Sequence, residues 1–214
     1  MAQRLSRNSQ INEIIKCGKD PVYFMNKYLK IQHPMRGLIP FKTFPFQDDC
    51  VKEFNDNRFN IILKSRQLGL STLAAAYAVW QSIFYKEKNI LIIATKLAVA
   101  QNFIRKVKTY IKSMPKWLLV PTITANNKQQ VEFSNGSQIK AVPTSEDAGR
   151  SEALSLLIVD EAAFVRNFDE LWMGLYPTLS TGWRAILLST PNGVGGQYHE
   201  IYTKAERKEN KFNP

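Results

Sequence analysis

Cysteine and histidine are scarce: Cys17, Cys50, His33 and His199 are the whole supply in 214 residues. Neither cysteine stands near a histidine at a metal-ligand spacing, and two thiols make no disulfide framework. Zinc modules and disulfide scaffolds are therefore excluded, and a reduced, cytosolic compartment is expected. Long apolar runs are also missing. None approaches the ~18 residues that a membrane-spanning helix requires. Met1-Ala2-Gln3-Arg4 leads into polar sequence with no apolar signal core, which argues against secretion. The third shortage is of acid. Eighteen Asp+Glu face 29 Lys+Arg, a formal net charge of +11. Between Lys88 and Gln130 there is no acidic residue, while Lys88, Lys96, Arg105, Lys106, Lys108, Lys112, Lys116 and Lys128 are basic. That sign implies a polyanionic partner, an argument about encounter and not about fold. The stretch reads either as a face that tracks DNA phosphates or as the solvated side of an amphipathic helix. Apolar residues are plentiful at 44%, enough for the core of one large domain, or of one domain with a small appendage.

Residues 1–40 read as a helical lead-in. Leu5 to Lys16 is a polar helix, Pro21-Val22-Tyr23-Phe24-Met25 opens a second, and Pro34, Gly37 and Pro40 then break the chain into a loop. From Phe59 the pattern changes to short β-rich runs separated by longer helical stretches. The runs are Phe59–Lys64, Asn89–Thr95, Leu154–Asp160 and Ala185–Thr190. They are apolar without a period of two, as expected of strands buried on both faces of a parallel sheet. Ser71–Tyr85 and Leu97–Met114 have helical length and periodicity. Val131–Ser134 and Ser137–Lys140 flank Asn135-Gly136, a strong hairpin signal. The expected architecture is α/β: three layers around a mostly parallel sheet, with an inserted β-hairpin.

The first strand runs into Lys64-Ser65-Arg66-Gln67-Leu68-Gly69-Leu70-Ser71-Thr72 and then an apolar helix. Strand, glycine loop, hydroxyl pair and helix form the setting of a phosphate loop. There, backbone N–H groups hold phosphates and a Ser/Thr hydroxyl holds Mg²⁺. Against G-x-x-x-x-G-K-[ST], Gly69 and Ser71 are kept, Leu70 takes the lysine position, and Lys64 takes that of the first glycine. A lysine at the loop entrance has the reach to approach the β/γ-phosphates from the other side, and Arg66 adds a second cation near the γ-phosphate. The plainer alternative is an ordinary strand-to-helix turn with solvated cations.

Leu156–Glu161 is an apolar strand that ends in two carboxylates, where open α/β sheets bind ligands. By position, Asp160 would hold Mg²⁺, directly or through water, and Glu161 would orient and deprotonate an attacking water. The alternative is that they cap the next helix. At the end of the fourth strand, Ser189, Thr190 or Asn192 is placed to hydrogen-bond water or phosphate. Gln47, after Phe44-Pro45-Phe46 and before a helix starting at Asp48, either reads an adenine edge with Phe46 stacking nearby or is a surface residue at a helix start. Arg150, ten residues before Asp160, is either a surface arginine or an arginine finger that enters a neighbouring subunit. Trp80, Trp117, Trp172 and Trp183 read as core.

In order and spacing these pieces resemble the ATPase (motor) domain of the large terminase subunit of tailed bacteriophages, over roughly Phe41 to Ala205. Ser65–Gly69 is similar to the family's phosphate loop, and the early lysine at Lys64 is similar to the deviant loops of lambda-type members. Ile158–Phe164 resembles the acidic strand motif, with Glu161 at the catalytic glutamate. Ser189-Thr190-Pro191-Asn192-Gly193 resembles the coupling motif, Phe46-Gln47 the adenine motif, and Ala94-Thr95 the helicase-like motif. The resemblance implies a RecA-like ATPase of the additional-strand, catalytic-glutamate type that uses ATP and Mg²⁺. The loop Lys64–Thr72, Gln47 and Asn192 would contact nucleotide, Ser71 and Asp160 the metal, and Glu161 with Arg66 or Arg150 the reaction. It also implies double-stranded DNA as the translocated partner, a portal protein and small terminase subunit as companions, and the host cytoplasm as the setting. The assembled form would be a ring, usually a pentamer, and away from the capsid a monomer.

Complete members carry an RNase H-like nuclease built on clustered acids. Nothing after Gly193 offers such a cluster, so residues 41–214 are expected to be the motor core and no DNA cleavage is expected. A second reading is a non-hydrolysing DNA-binding or assembly module. Leu70 motivates it, and the pair Asp160-Glu161 opposes it. A helicase of superfamily 2 would need a second RecA-like domain, for which 214 residues leave no room.

Overall fold

The four runs that are apolar without alternation become four neighbouring parallel strands. In the computed structural model, which describes residues 6–144, 153–175 and 183–214, these are β3 (Phe59–Leu63), β4 (Asn89–Ala94), β8 (Leu156–Asp160) and β9 (Arg184–Ser189). With β5 (Ile123–Asn126), β6 (Gln130–Phe133) and β7 (Gln138–Pro143) they form one sheet of order β3-β9-β8-β4-β7-β6-β5. The pairs from β3 to β7 are parallel, and β7-β6 and β6-β5 are antiparallel. The Asn135-Gly136 hairpin thus extends the sheet, because its second strand pairs with β4 over Asn89↔Gln138 to Ala94↔Pro143. The strand β5 was not evident in the sequence.

Alternate residues of each central strand feed two cores. Ile90, Ile92, Leu156, Ile158, Ile186 and Leu188 pack on one side; Leu91, Ile93, Leu157, Val159, Ala185 and Leu187 pack on the other. This is why the runs lack a polar face. The first layer comprises α4 (Leu70–Phe84) and α5 (Leu97–Ser113), and the second α6 (Phe168–Leu175) and α7 (Gly196–Glu206). Twelve of the fifteen residues of α4 are buried, so this helix is apolar all round and has no charged side chain.

The N-terminal helices α1 (Arg7–Lys19) and α2 (Pro21–Tyr28) share the α4 core: the Trp80 indole donates to the Cys17 carbonyl at 2.8 Å, and Phe24 meets Phe84 edge-on. The expected loop beyond them is instead a short antiparallel hairpin, β1 (Lys30–His33) with β2 (Gly37–Pro40). His33 organises its turn, since its Nδ1 accepts from the N–H groups of Met35 and Arg36, both at 3.2 Å. Helix α3 spans Pro45–Asp56 and starts three residues earlier than expected, with Pro45 at the first helical position, where a missing N–H costs nothing. Trp80, Trp172 and Trp183 are buried and Trp117 is half-buried.

Candidate active site

Because β9 lies between β3 and β8, the phosphate loop and the acidic pair sit two strands apart at the same carboxyl edge of the sheet. The loop from Lys64 to Gly69 leaves β3 and enters α4. Gln67 and Gly69 both have positive φ, 62° and 73°. Left-handed residues beside a helix start are the setting in which backbone N–H groups form an anion-binding concavity. Ser65, Arg66, Gln67 and Leu68 are exposed on the loop, whereas Leu70 is buried and belongs to the core. The position of the usual lysine is therefore given to packing.

The cation comes from Lys64. Its Nζ lies 2.6 Å from Glu161 Oε1, and its side chain is only 7% exposed. Glu161 is held a second time through Oε2, which accepts from the N–H and the Oγ1 of Thr190, both at 2.9 Å. Its backbone is left-handed, φ 55° and ψ 49°, an uncommon state for a non-glycine residue and a form of strain concentrated at functional sites. Burial resists ionisation of Glu161, but Lys64 and Thr190 outweigh it and hold its pKa below the ordinary carboxylate value. The group is an anion, ready to accept a proton or orient water.

Asp160 behaves differently. It is buried, Ser71 Oγ donates to its Oδ1 at 2.9 Å, and desolvation raises its pKa against the opposing pull of Ser71, Lys64 and Lys106. Adjacent ligands of an octahedral Mg²⁺ lie about 3 Å apart, since each is 2.0–2.1 Å from the metal. Ser71 and Asp160 already have that separation and are hard oxygen donors, so they fit this ion. A magnesium held mainly by substrate phosphates needs only one or two protein carboxylates.

The remaining expected residues divide. Gln47 is buried, and both ends of its amide are engaged: Nε2 donates to the Leu68 carbonyl at 2.8 Å, and Oε1 accepts from the Phe44 N–H at 3.2 Å. It braces the phosphate loop. Beside it Phe44 and Phe46 are exposed and parallel, with centroids 5.9 Å apart. Asn192 donates to the Ala163 carbonyl at 2.8 Å, and the buried Ser189 hydroxyl accepts from the Ala163 N–H and donates to the Thr190 carbonyl. Both clasp the turn after the acidic pair, so of the three polar candidates at the end of β9 it is Thr190 that reaches Glu161. Thr72 offers its carbonyl to the Tyr110 hydroxyl at 2.9 Å. Arg150 lies outside the described residues. In front of Glu161 opens a cleft of about 1140 Å³ lined by Arg66, Thr95, Lys96, Arg166 and Thr190, among others. Arg166 and Lys96, which line the cleft, and Lys106, which interacts with Asp160, are the cations that sequence reasoning missed. Arg166 follows no motif, and Lys96 and Lys106 were hidden in a basic run.

A phosphate loop and an acidic pair with one strand between them, on a parallel sheet covered on both faces, define the P-loop fold of the additional-strand, RecA-like class. Within that class the chain belongs to the terminase large subunit family, T4-like-virus type: the model of that family's N-terminal region matches residues 61–213. It is 25% identical over 185 residues to the probable terminase ATPase subunit of Haemophilus phage HP1, covering 83% of this chain and 28% of that protein. The large terminase of bacteriophage HK97 superposes with a TM-score of 0.72 at 18% identity, over 91% of this chain and 42% of that one. The large terminase of a thermophilic bacteriophage, solved in complex with ATP-γ-S, gives 0.62 at 12% identity, over 80% of this chain and 43% of that one. The chain thus spans between about a quarter and under half of the length of these relatives.

Proposed function

We propose that this chain binds and hydrolyses ATP as the motor unit of a viral DNA-packaging machine and moves double-stranded DNA. The observation that carries the reading is the convergence of Lys64, Thr190 and Ser71 on the adjacent carboxylates Glu161 and Asp160 at the mouth of a phosphate loop. The HP1 relative, named as an ATPase subunit, and the thermophilic-phage terminase bound to ATP-γ-S support it.

The loop N–H groups, Lys64 and Arg66 hold the phosphates, with the Phe44–Phe46 pair at the base end and Gln47 bracing the loop. Ser71 and Asp160 would hold Mg²⁺, which would supply positive charge against the charge that develops on the phosphates. Lys64 has two claimants, Glu161 and the incoming phosphates. As phosphate draws on Lys64, Oε1 of Glu161 becomes free to take a water proton while Thr190 keeps Oε2 in place. The in-line water is then oriented by a carboxylate that remains ionised, as general-base catalysis requires. Arg66 or Arg150, the latter from a neighbouring subunit, stabilises the charge of the transferring group. DNA, the portal protein, the small terminase subunit, a ring of this chain in the host cytoplasm and a monomer away from the capsid complete the proposal. No helix of the described residues is long and apolar enough to cross a membrane.

The test is steady-state phosphate release alongside nucleotide binding. Glu161→Ala is expected to cut turnover by about 10²-fold or more, the usual range for loss of a general base, with Mg·ATP affinity within about threefold of wild type. Lys64→Ala is expected to weaken both. ATP hydrolysis by Lys64→Ala at the wild-type rate would sink the assignment of the relocated lysine.

A further inference from the structure

Lys106 stands in the basic run yet apart from its neighbours. On α5, Arg105, Lys108 and Lys112 fall at i, i+3 and i+7, which is one stripe of the helix; Arg105 and Lys112 are exposed. Lys106 is off that stripe, three residues after the buried Phe103 and four before the buried Tyr110, and its ammonium lies 5.6 Å from the centre of the Phe103 ring. The Tyr110 flank has a known neighbour, because its hydroxyl donates to the Thr72 carbonyl in the first turn of α4. One turn closer to the start of α5, Lys106 therefore faces the segment that carries Ser71. A long helical side chain runs back toward its own N-terminus. That end of α5 follows β4 directly, at the sheet edge where Asp160 ends β8. In keeping with this placement, Lys106 interacts electrostatically with both Asp160 and Lys64.

We propose that Lys106 is a cation of the nucleotide site, a positioning residue acting on bound phosphates through Asp160 and Ser71, and not part of the surface offered to DNA. The charge balance shows why one is needed. Asp160 and Glu161 are adjacent anions, incoming phosphates add more, Lys64 is shared between Glu161 and those phosphates, and position 70 is an apolar leucine. A half-buried ammonium on α5 adds to the positive charge of Lys64 and Arg66 without occupying the phosphate-binding turn. Its burial depresses its pKa, and the field of Asp160 works against that depression.

The inference rests on the nucleotide reading above. Its test is titration of the 214-residue chain with Mg·ATP in the absence of DNA, alongside DNA binding measured without nucleotide. Lys106→Gln, and Lys106→Met, which keeps the apolar stem over Phe103, should each raise the Kd for Mg·ATP roughly tenfold, the size of one partly buried charge interaction. Both should leave DNA affinity within about twofold. Lys106→Arg should recover much of the nucleotide affinity, which a purely structural role would not require, and the exposed neighbour Arg105→Gln should show the reverse pattern. Wild-type-like Mg·ATP binding by both Lys106→Gln and Lys106→Met, with Lys64→Ala impaired, overturns this inference alone. No Mg·ATP binding by the wild-type chain overturns the proposed function and this inference with it.

Discussion

Gly69 shows how narrowly the phosphate loop is specified. Its φ of 73° lies in the region that costs an L-residue about 1–2 kcal/mol, and a Cβ there would stand 2.9 Å from Nε2 of Gln47. That amide is the brace on the Leu68 carbonyl, so it cannot yield without losing a partly buried hydrogen bond. Gly69→Ala is expected to destabilise the chain by about 1–3 kcal/mol from conformational strain and the disturbed bond, read from urea unfolding, and to weaken Mg·ATP binding. Unchanged stability and affinity would show that the brace is dispensable. At this scale the sequence was legible where chemistry depends on chain order. That Lys64 and Ser71 would meet Glu161 and Asp160 could be read because the loop and the strand end fix all four to the backbone. Gln47 turned inward, and Lys106 left its basic run, because tertiary packing decides where a long side chain points. Sequence spacing carries no trace of the α5–α4 flank that turns Lys106.

The elements were legible for a different reason. A run buried on both faces has no polar positions, so β3, β4, β8 and β9 could be read from composition, and the Asn-Gly turn marked β6 and β7. The strand β5, Ile123–Asn126, stayed hidden: it is a mostly exposed edge strand whose identity comes from pairing with β6. The α1–α2 pair is joined by a clasp that periodicity could not show. Oε1 of Glu13 accepts from the hydroxyls of Tyr23 and Tyr28 and lies 2.6 Å from Lys27 Nζ. Burial opposes its ionisation, but Lys27 and the two tyrosines prevail and lower its pKa from 4.5 to about 2. For a carboxylate with a depressed folded pKa, the stabilisation is complete above the unfolded value and lost as pH falls through the folded one. Between about pH 4.5 and pH 2 the clasp should therefore weaken. Hydrogen exchange should show α1 opening before the central sheet in that window, and Glu13→Gln should bring the same opening to neutral pH. Equal protection of α1 in wild type and Glu13→Gln at neutral pH would rule the clasp out as the tie.

At the scale of the molecule, the +11 charge resolves into populations with different neighbours. Lys64, Arg66 and Lys106 are turned toward the carboxyl edge of the sheet, and Lys96 and Arg166 line the cleft beside them. Arg105, Lys112, Lys116 and Lys128 are exposed in the acid-free stretch. If this outer population tracks DNA, affinity must fall with salt, since each neutralised phosphate releases condensed counterion with a slope of about −0.9 per contact. Replacing Arg105 and Lys112 together by Gln should then flatten log K against log salt by about 1.8, twice that value, for any duplex sequence. Mg·ATP affinity should stay put, because both side chains are exposed on the outer stripe of α5. The comparison separates the two polyanions: a mutation on the outer stripe changes a salt slope, and one on the inner flank changes a nucleotide Kd. An unchanged salt slope in Arg105→Gln/Lys112→Gln would return the stripe to the role of a solvated helix face and move the DNA-contacting surface elsewhere on the molecule.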